Sequence, residues 1–488
     1  MNLIEIAIRE QNGKIFRLGH DSPRRTSRRV ECRNGTDRES TGATAINCSR
    51  ILNRPATVDS GFRAPPIDID GYDRVFDRPV WGKRELYLES FRSQQPNLSW
   101  YADTSYKPKW KKLPPDLDSS LPNQIYESAR SRNWKVYTSV TPLALPDLKA
   151  EDKMKWINGQ NPDPNRRVAN QGCPSSPNVK AWAIASVLDE ISQQPTPDGV
   201  CLDWVEYTTY LIEDHFSCFS PYSQAHMKSL GYEAKRIKSD VLSLWHYFND
   251  LTNERLDDIS QILNSPSRIL ELLVRFPGVY DFFRFKSDVI SGLYRDIRLA
   301  MDQSGFGHIE LVANGWPSPF NRSSGMDYAR LAEIVDSVRP KLYTFHWSVL
   351  PRWYGQVLKN WNPNLAVTSV LQAIKSWFNL PDSIDHPTWS DYHIPAPNDR
   401  HPVWFRTFND RINEVASQVS GRAPVIPLAH GYVPLDQWKR TISIIRDSKA
   451  DGMWVQRYCY LSDEKILALA NIWNLQEPNN IMATGSFF

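Results

Sequence analysis

Asp198-Gly-Val-Cys-Leu-Asp-Trp-Val-Glu-Tyr207 joins a turn to a short apolar run and closes that run with two carboxylates, Asp203 and Glu206, beside Trp204 and Tyr207. Asp198 and Gly199 supply the turn. The run from Gly199 to Val205 has the length of a buried strand. Similar runs recur along the chain, separated by segments of helical period. Asn97–Tyr101 and Trp134–Val140 read as strands, the second rich in β formers. So do His308–Ala313, Leu342–Trp347, Val425–Ala429 and Gly452–Tyr458. Helices are expected over 119–132, 177–194, 326–338, 434–447 and 462–474. In the second of these, Val179, Trp182, Ala183, Ala185, Ser186 and Leu188 share a face. Long helical stretches fill 208–305 and about 350–420, the latter interrupted by the Pro-rich Ile394–Pro402.

Strands that alternate with helices in this way pair in parallel under a layer of helices. Seven such units over about 400 residues predict an α/β chain folded as a (β/α)8 TIM barrel with helical insertions near 208–305 and 350–420. The eighth strand belongs near the N-terminus, around Tyr72–Phe76, where the pattern is poor. The first βα unit is therefore irregular or missing. Residues 1–65 differ from the rest. Their central part, 21–50, is polar and without periodicity, so 1–65 reads as a disordered or atypical arm and 66–488 as the barrel domain. Arg24, Arg25, Arg28 and Arg29 in that arm read as solvated charge, not as a nucleic-acid site.

Composition narrows the function. A net charge of +3 over 488 residues is nearly neutral, which argues against nucleic acid as a partner. No run of about 20 apolar residues exists to span a membrane. The opening Met1–Glu10 is too acidic, and too short in its apolar part, for a secretory signal, so the cytoplasm is the default location. Cys32, Cys48, Cys173, Cys201, Cys218 and Cys459 show neither CxxC nor zinc spacing and read as reduced or buried thiols. His215, His346 and His430 lack H-x-H or HExxH spacing, so neither metal nor cofactor is expected. Walker, GxGxxG and GxSxG motifs are absent. The 18 Trp and 20 Tyr are the better lead, because flat rings stack on sugar faces, although most of them fill the core.

In a parallel barrel the carboxyl ends of the strands carry the chemistry. Here they finish in Thr138, Ser139 and Thr141; in Asp203 and Glu206; in Asn314 and Trp316; in His346 and Trp347; in His430 and Tyr432; and in Gln456 and Arg457. A carboxylate at Asp203 with a second carboxyl nearby is the pair that glycosidic cleavage needs. Arg457 or His346 beside Asp203 would keep it ionised. Glu206 is the nearest second carboxyl, with Glu213 and Asp214 behind it; Glu310 belongs to the barrel bottom. Strand alternation puts Asp203 with Cys201 and Val205, and Glu206 with Trp204, so Glu206 shares the cleft only if the chain bends after Trp204. Asn314, His346, His430, Tyr432, Gln456 and Arg457 would bind and orient a sugar, with Trp316 and Trp347 as stacking faces. The turn-rich segment Gly159–Pro174 offers Gln160, Arg167, Asn170 and Gln171 as further donors. Each has a plainer structural reading: a hydrogen-bonded histidine, a packing tryptophan, an Arg457–Asp203 ion pair, an Ω-like surface loop.

Asp198–Tyr207 resembles the fourth-strand motif, DG followed by three hydrophobic residues, D and an aromatic, of glycoside-hydrolase-like, distantly amylase-related barrels. Gly325-Met-Asp-Tyr-Ala-Arg-Leu-Ala-Glu-Ile-Val-Asp336 resembles their segment before the sixth strand, and Gly452-Met-Trp-Val-Gln-Arg-Tyr458 their last strand. The resemblance covers about 95–475. It implies a glycosidase that cleaves O-glycosidic bonds of an oligo- or polysaccharide by carboxylate acid/base chemistry, with Asp203 as nucleophile or essential acid. The acid of such families lies near the fifth strand, where this chain has Asn314. That departure keeps a non-catalytic carbohydrate-binding barrel as the alternative, and a barrel lyase or isomerase as a third reading.

Overall fold

Seven segments form the parallel strands of one curled sheet: β2 (Ala43–Cys48), β6 (Lys135–Val140), β7 (Gly199–Leu202), β8 (Glu310–Gly315), β9 (Ser337–Leu342), β10 (Leu428–His430) and β11 (Gly452–Gln456). They lie side by side in that order. β1 (Ile4–Arg9) runs antiparallel to both β2 and β11 and closes the ring. The computed structural model describes residues 4–9, 43–66, 73–163, 171–263, 266–380, 387–394, 396–397, 399 and 405–473.

The architecture is thus an α/β barrel of seven parallel strands alternating with helices. Among the described residues eight βα units are not found, and the eighth place in the ring is taken by an antiparallel strand. The first parallel strand is Ala43–Cys48, inside the segment read as an arm, and not Tyr72–Phe76. Its six residues follow a long polar stretch, and their apolar content shows only when Ala45 and Ile46 are seen to bury opposite faces. Between β2 and β6 lies a small antiparallel sheet of β3 (Ile51–Ala56), β5 (Leu86–Arg92) and β4 (Phe62–Ala64). Asn97–Tyr101 is not a strand: Leu98–Tyr101 is a 3-10 turn that Asn97 caps by accepting from the Ser99 amide. Helices Leu121–Arg130, Pro177–Ser192, Leu435–Asp447 and Asp463–Ile472 stand where periodicity expects them.

The sixth strand is displaced. It is Ser337–Leu342, and the expected Leu342–Trp347 belongs mostly to the helix Thr344–Trp361. Arg339, Pro340 and Lys341 disguise the strand, since Pro and paired cations read against one.

Strand alternation sorts the side chains. Tyr137, Cys201, Val312, Leu428 and Trp454 pack inside the barrel. Val136, Leu342, Ala429 and Val455 pack outward with Trp438, Ile442 and Leu469, and Val200, Leu202, Leu311 and Ala313 with Val187, Ile290 and Tyr294. Arg339 is fully buried within the ring, its guanidinium 3.8 Å from the Trp454 ring centre.

Gly199 opens β7 opposite Tyr137, whose ring would lie 2.3 Å from a Cβ placed there. Gly199→Ala is expected to lower stability by about 1–3 kcal/mol through displacement of that ring. Denaturant unfolding followed by fluorescence measures it, and an unchanged midpoint would refute the close packing.

Behind β7, the turn Ile212–Phe216 carries His215, whose Nε2 lies 2.5 Å from the Tyr354 hydroxyl. Burial, with a smaller push from Lys286, lowers its pKa to about 3. The unfolded chain therefore takes up a proton that the native state refuses, so stability falls as pH drops from about 6.5 toward 3. This group alone gives a slope of about 1.4 kcal/mol per pH unit. His215→Asn is expected to flatten that part of the stability profile by one proton, as read from urea midpoints between pH 7 and pH 4.

Candidate functional site

At its carboxyl end every parallel strand turns a polar residue inward: Asn47, Ser139, Asp203, Asn314, Lys341, His430 and Gln456, Asp203 lying just past the end of β7. Asn47 donates from Nδ2 to Ser139 Oγ at 2.7 Å. Asn314 donates to Asp203 Oδ1 at 3.4 Å.

Asp203 and Glu206 meet through Lys341. Its Nζ lies 3.0 Å from Asp203 Oδ1 and 2.7 Å from Glu206 Oε1. The bend that brings the two carboxyls together is at Trp204, where φ is +61°, a left-handed value that costs a non-glycine residue energy and needs support. Gln171 supplies it by donating from Nε2 to the Trp204 carbonyl. The Trp204 ring stacks on Tyr210, with centroids 5.4 Å apart, and Lys341 Nζ sits 4.8 Å from its centre.

The two carboxyls differ in surroundings. Asp203 is 20% exposed; its Oδ1 accepts from the Trp204 amide at 3.1 Å and from Asn314, and pairs with Lys341. Glu206 is 1% exposed, and its Oε2 accepts from the Trp316 amide at 3.2 Å. Burial pushes the Glu206 carboxyl above its ordinary range. Lys341 and the Trp316 amide oppose the rise, and the charge of Asp203 adds to it. Burial works against the charge on Lys341, but the two carboxylates outweigh it and hold the ammonium above the ordinary lysine range. One ammonium shared by two carboxylates leaves a net negative charge, and burial penalises that charge at the deeper Glu206.

Other expected site residues divide into groups. Asn314 and Trp316 adjoin the carboxyls directly. His346, His430, Tyr432, Gln456 and Arg457 gather on the β9–β11 side. The Phe345 ring lies 4.1 Å from His346 and 4.6 Å from His430, and Tyr460 lies 5.0 Å from His430. His346 sits in the first turn of Thr344–Trp361, not at a strand end. Both imidazoles are buried and kept neutral, first by burial and then by Arg74 and Arg457. His430 Nδ1 accepts from the Tyr432 amide at 3.1 Å, so its proton lies on Nε2. The Tyr432 hydroxyl accepts from the Val75 amide at 3.3 Å. Trp347 packs edge-on against Trp316, ring centres 6.2 Å apart, and is fully buried with the Arg411 guanidinium 4.0 Å from its ring centre; it offers no face to a ligand in this arrangement. Gln171 is buried and acts on Trp204, and Asn170 lies outside the described residues.

Lys341, Arg74 and Tyr210 are absent from the sequence expectations. Lys341 had a signal: Arg339 and Lys341 occupy alternate positions, which puts both on one strand face. Arg74 and Tyr210 lie in connections, where no periodicity points to a face.

No family model matches the chain, and no curated protein matches it in sequence. Among solved structures it is similar to the PgaB (BpsB) glycoside hydrolase domain from Bordetella bronchiseptica, with 10% identity and a TM-score of 0.39 over 72% of this chain and 77% of that one. It is also similar to the catalytic domain of β-amylase from Paenibacillus polymyxa, at 11% identity and a TM-score of 0.38 over 74% and 86%. For β-galactosidase from Marinomonas ef1 the figures are 12%, 0.30, 72% and 60%. Likenesses this distant leave the fold resting on its strand pairing and the site on its own geometry.

Proposed function

We propose that the barrel mouth is a glycoside hydrolase site for an oligo- or polysaccharide, with Asp203 as nucleophile or charge stabiliser and Glu206 as general acid. The observation that carries this reading is the single ammonium of Lys341 on both carboxyls. The oxygens it joins are no farther apart than those two contacts laid end to end. That upper bound supports the close carboxyl pair of retaining enzymes, ~5–5.5 Å, over the ~6.5–9.5 Å that inverting pairs leave for a water. The upward shift of the Glu206 carboxyl is in the direction a general acid needs. A screen of reporter glycosides and natural glycans tests the proposal, with proton NMR of the first product formed. Retained anomeric configuration is expected; inversion would rule out the nucleophile role of Asp203.

One observation favours a second reading, a carbohydrate-binding barrel without turnover. Glu206 is fully buried with both oxygens engaged, so it must leave Lys341 or Trp316 to reach a leaving group. On that reading glycans bind without cleavage, and Glu206→Gln leaves their affinity unchanged.

A further inference from the structure

Cys173 and Cys218 stand 45 positions apart in the sequence, yet their Sγ atoms lie 3.4 Å from each other. Cys173 precedes the helix Pro177–Ser192, and Cys218 follows the turn Ile212–Phe216 beyond β7. One strip of backbone frames both. The Cys173 amide donates to the Asp152 carbonyl at 2.7 Å, and the neighbouring Gly172 pairs with Lys153. On the other side Ser217 pairs with Trp156, and the Phe219 amide donates to the Lys155 carbonyl at 2.8 Å. The Lys155 amide itself donates to Cys218 Sγ at 3.4 Å. The sulfurs are therefore held against each other by the segments that carry them.

Both cysteines are wholly buried. Ser220 Oγ lies 3.2 Å and Ser223 Oγ 3.3 Å from Cys173 Sγ. Burial opposes a thiolate on Cys218, but the hydrogen bonds it receives from Cys173, Ser220, Ser223 and the Lys155 amide outweigh it and bring that thiol down to about 6. The thiolate is the form that exchanges with disulfides. Closing the 3.4 Å contact to the ~2.05 Å of a disulfide takes about 1.4 Å. Two other described cysteines have different company: Cys48 Sγ faces the Ser49 carbonyl at 3.6 Å, and Cys201 Sγ faces the Arg339 guanidinium at 2.9 Å.

We infer that Cys173 and Cys218 form a disulfide site, closed by exchange with a small-molecule disulfide of the glutathione class when the surrounding segments open. One thiolate attacks the small disulfide, bonds to one half and releases the other as a thiol. The second cysteine, as thiolate, attacks the mixed bond; the Cys173–Cys218 bond forms and the remaining half leaves. The two cysteines lose two electrons, and the two released halves gain them and take up both protons. Once closed, the bond ties the segment that carries Gln171 to the segment beyond β7, and so anchors the residue that supports the left-handed Trp204. The inference does not rest on the carbohydrate reading.

Peptide mapping of the full chain tests it. The reduced protein is held in glutathione disulfide, in buffer and in urea just below its unfolding midpoint, then alkylated in denaturant and digested. The peptides carrying Cys173 and Cys218 are expected to be linked to each other, faster in urea than in buffer, while Cys48, Cys201 and Cys459 are alkylated. The linked protein is expected to melt about 3–6 °C above the reduced one, as closing a loop of this length in a chain of this size allows. That difference should vanish in Cys173→Ser. Separate alkylation of Cys173 and Cys218 under every condition would overturn the inference. So would a lasting bond from either one to glutathione or to another cysteine. A linked form that melts no higher than the reduced form would also overturn it, since the native packing would not then be holding the pair ready.

Discussion

Lys341→Met is expected to destabilise the fold by about 3–5 kcal/mol, because it leaves buried carboxyls without their cation. Lys341 and Glu206 are each 1% exposed, so water cannot replace the lost contact. Most of the cost belongs to Glu206, which keeps only the Trp316 amide. Adding Glu206→Gln to the variant should recover more than about 1 kcal/mol, since an amide does not demand a counter-charge. The pH dependence has a definite sign. Glu206 already titrates above its ordinary value in the folded chain, so its contribution weakens as pH rises from about 4.5. Without the ammonium that rise is larger. The gap between wild type and Lys341→Met should therefore be small near pH 4 and widen toward pH 7. At the alkaline end the raised Lys341 works the other way: its contribution is whole below the ordinary lysine value of 10.5 and is lost as pH climbs through the folded value. Urea midpoints across this range measure both effects. A gap that stayed constant with pH would show that the methionine acts through packing and not through the shared charge.

What the sequence made legible follows from where its signals are local. The strand opening at Gly199, the helix Pro177–Ser192 and the last two helices depend on turn residues and period, which short windows carry. Asp203 was legible because an apolar run ended on it. Glu206 was legible only in part. Simple alternation placed it on the opposite face, and the bend that rescues it is a left-handed tryptophan held by Gln171 from a distant loop. No local pattern announces such a bend, since tryptophan disfavours that conformation and a tertiary contact sustains it. β9 was misplaced for a related reason. Its inward cations look like surface residues until Lys341 is seen to meet the carboxylates beyond β7 and Arg339 the Trp454 ring. Ala43–Cys48 was hidden by its setting in a polar stretch, and its role appears only from pairing with β6.

Asp203→Asn is expected to cut glycoside turnover by roughly a thousandfold or more while leaving the fold standing. The geometry makes the substitution clean. The Trp204 amide, the Asn314 amide and Lys341 all converge on Oδ1, and none of these three contacts uses Oδ2. An asparagine can keep its carbonyl oxygen at Oδ1, accept the same donors, and set its NH2 where Oδ2 was. Lys341 is then left with Glu206 alone, a neutral pair, so stability should shift by no more than about 1 kcal/mol. What is lost is the nucleophile, because a neutral amide neither attacks the anomeric carbon nor balances the charge that develops there. A second readout separates this role from a structural one. Asp203 is among the charges that raise Glu206, so its removal should lower the Glu206 pKa. The alkaline limb of the residual pH–rate profile should move toward lower pH. Full turnover by Asp203→Asn on a glycan that the wild type cleaves would remove Asp203 from the chemistry. Lost turnover with an unmoved alkaline limb would keep Asp203 as nucleophile and take the acid role away from Glu206.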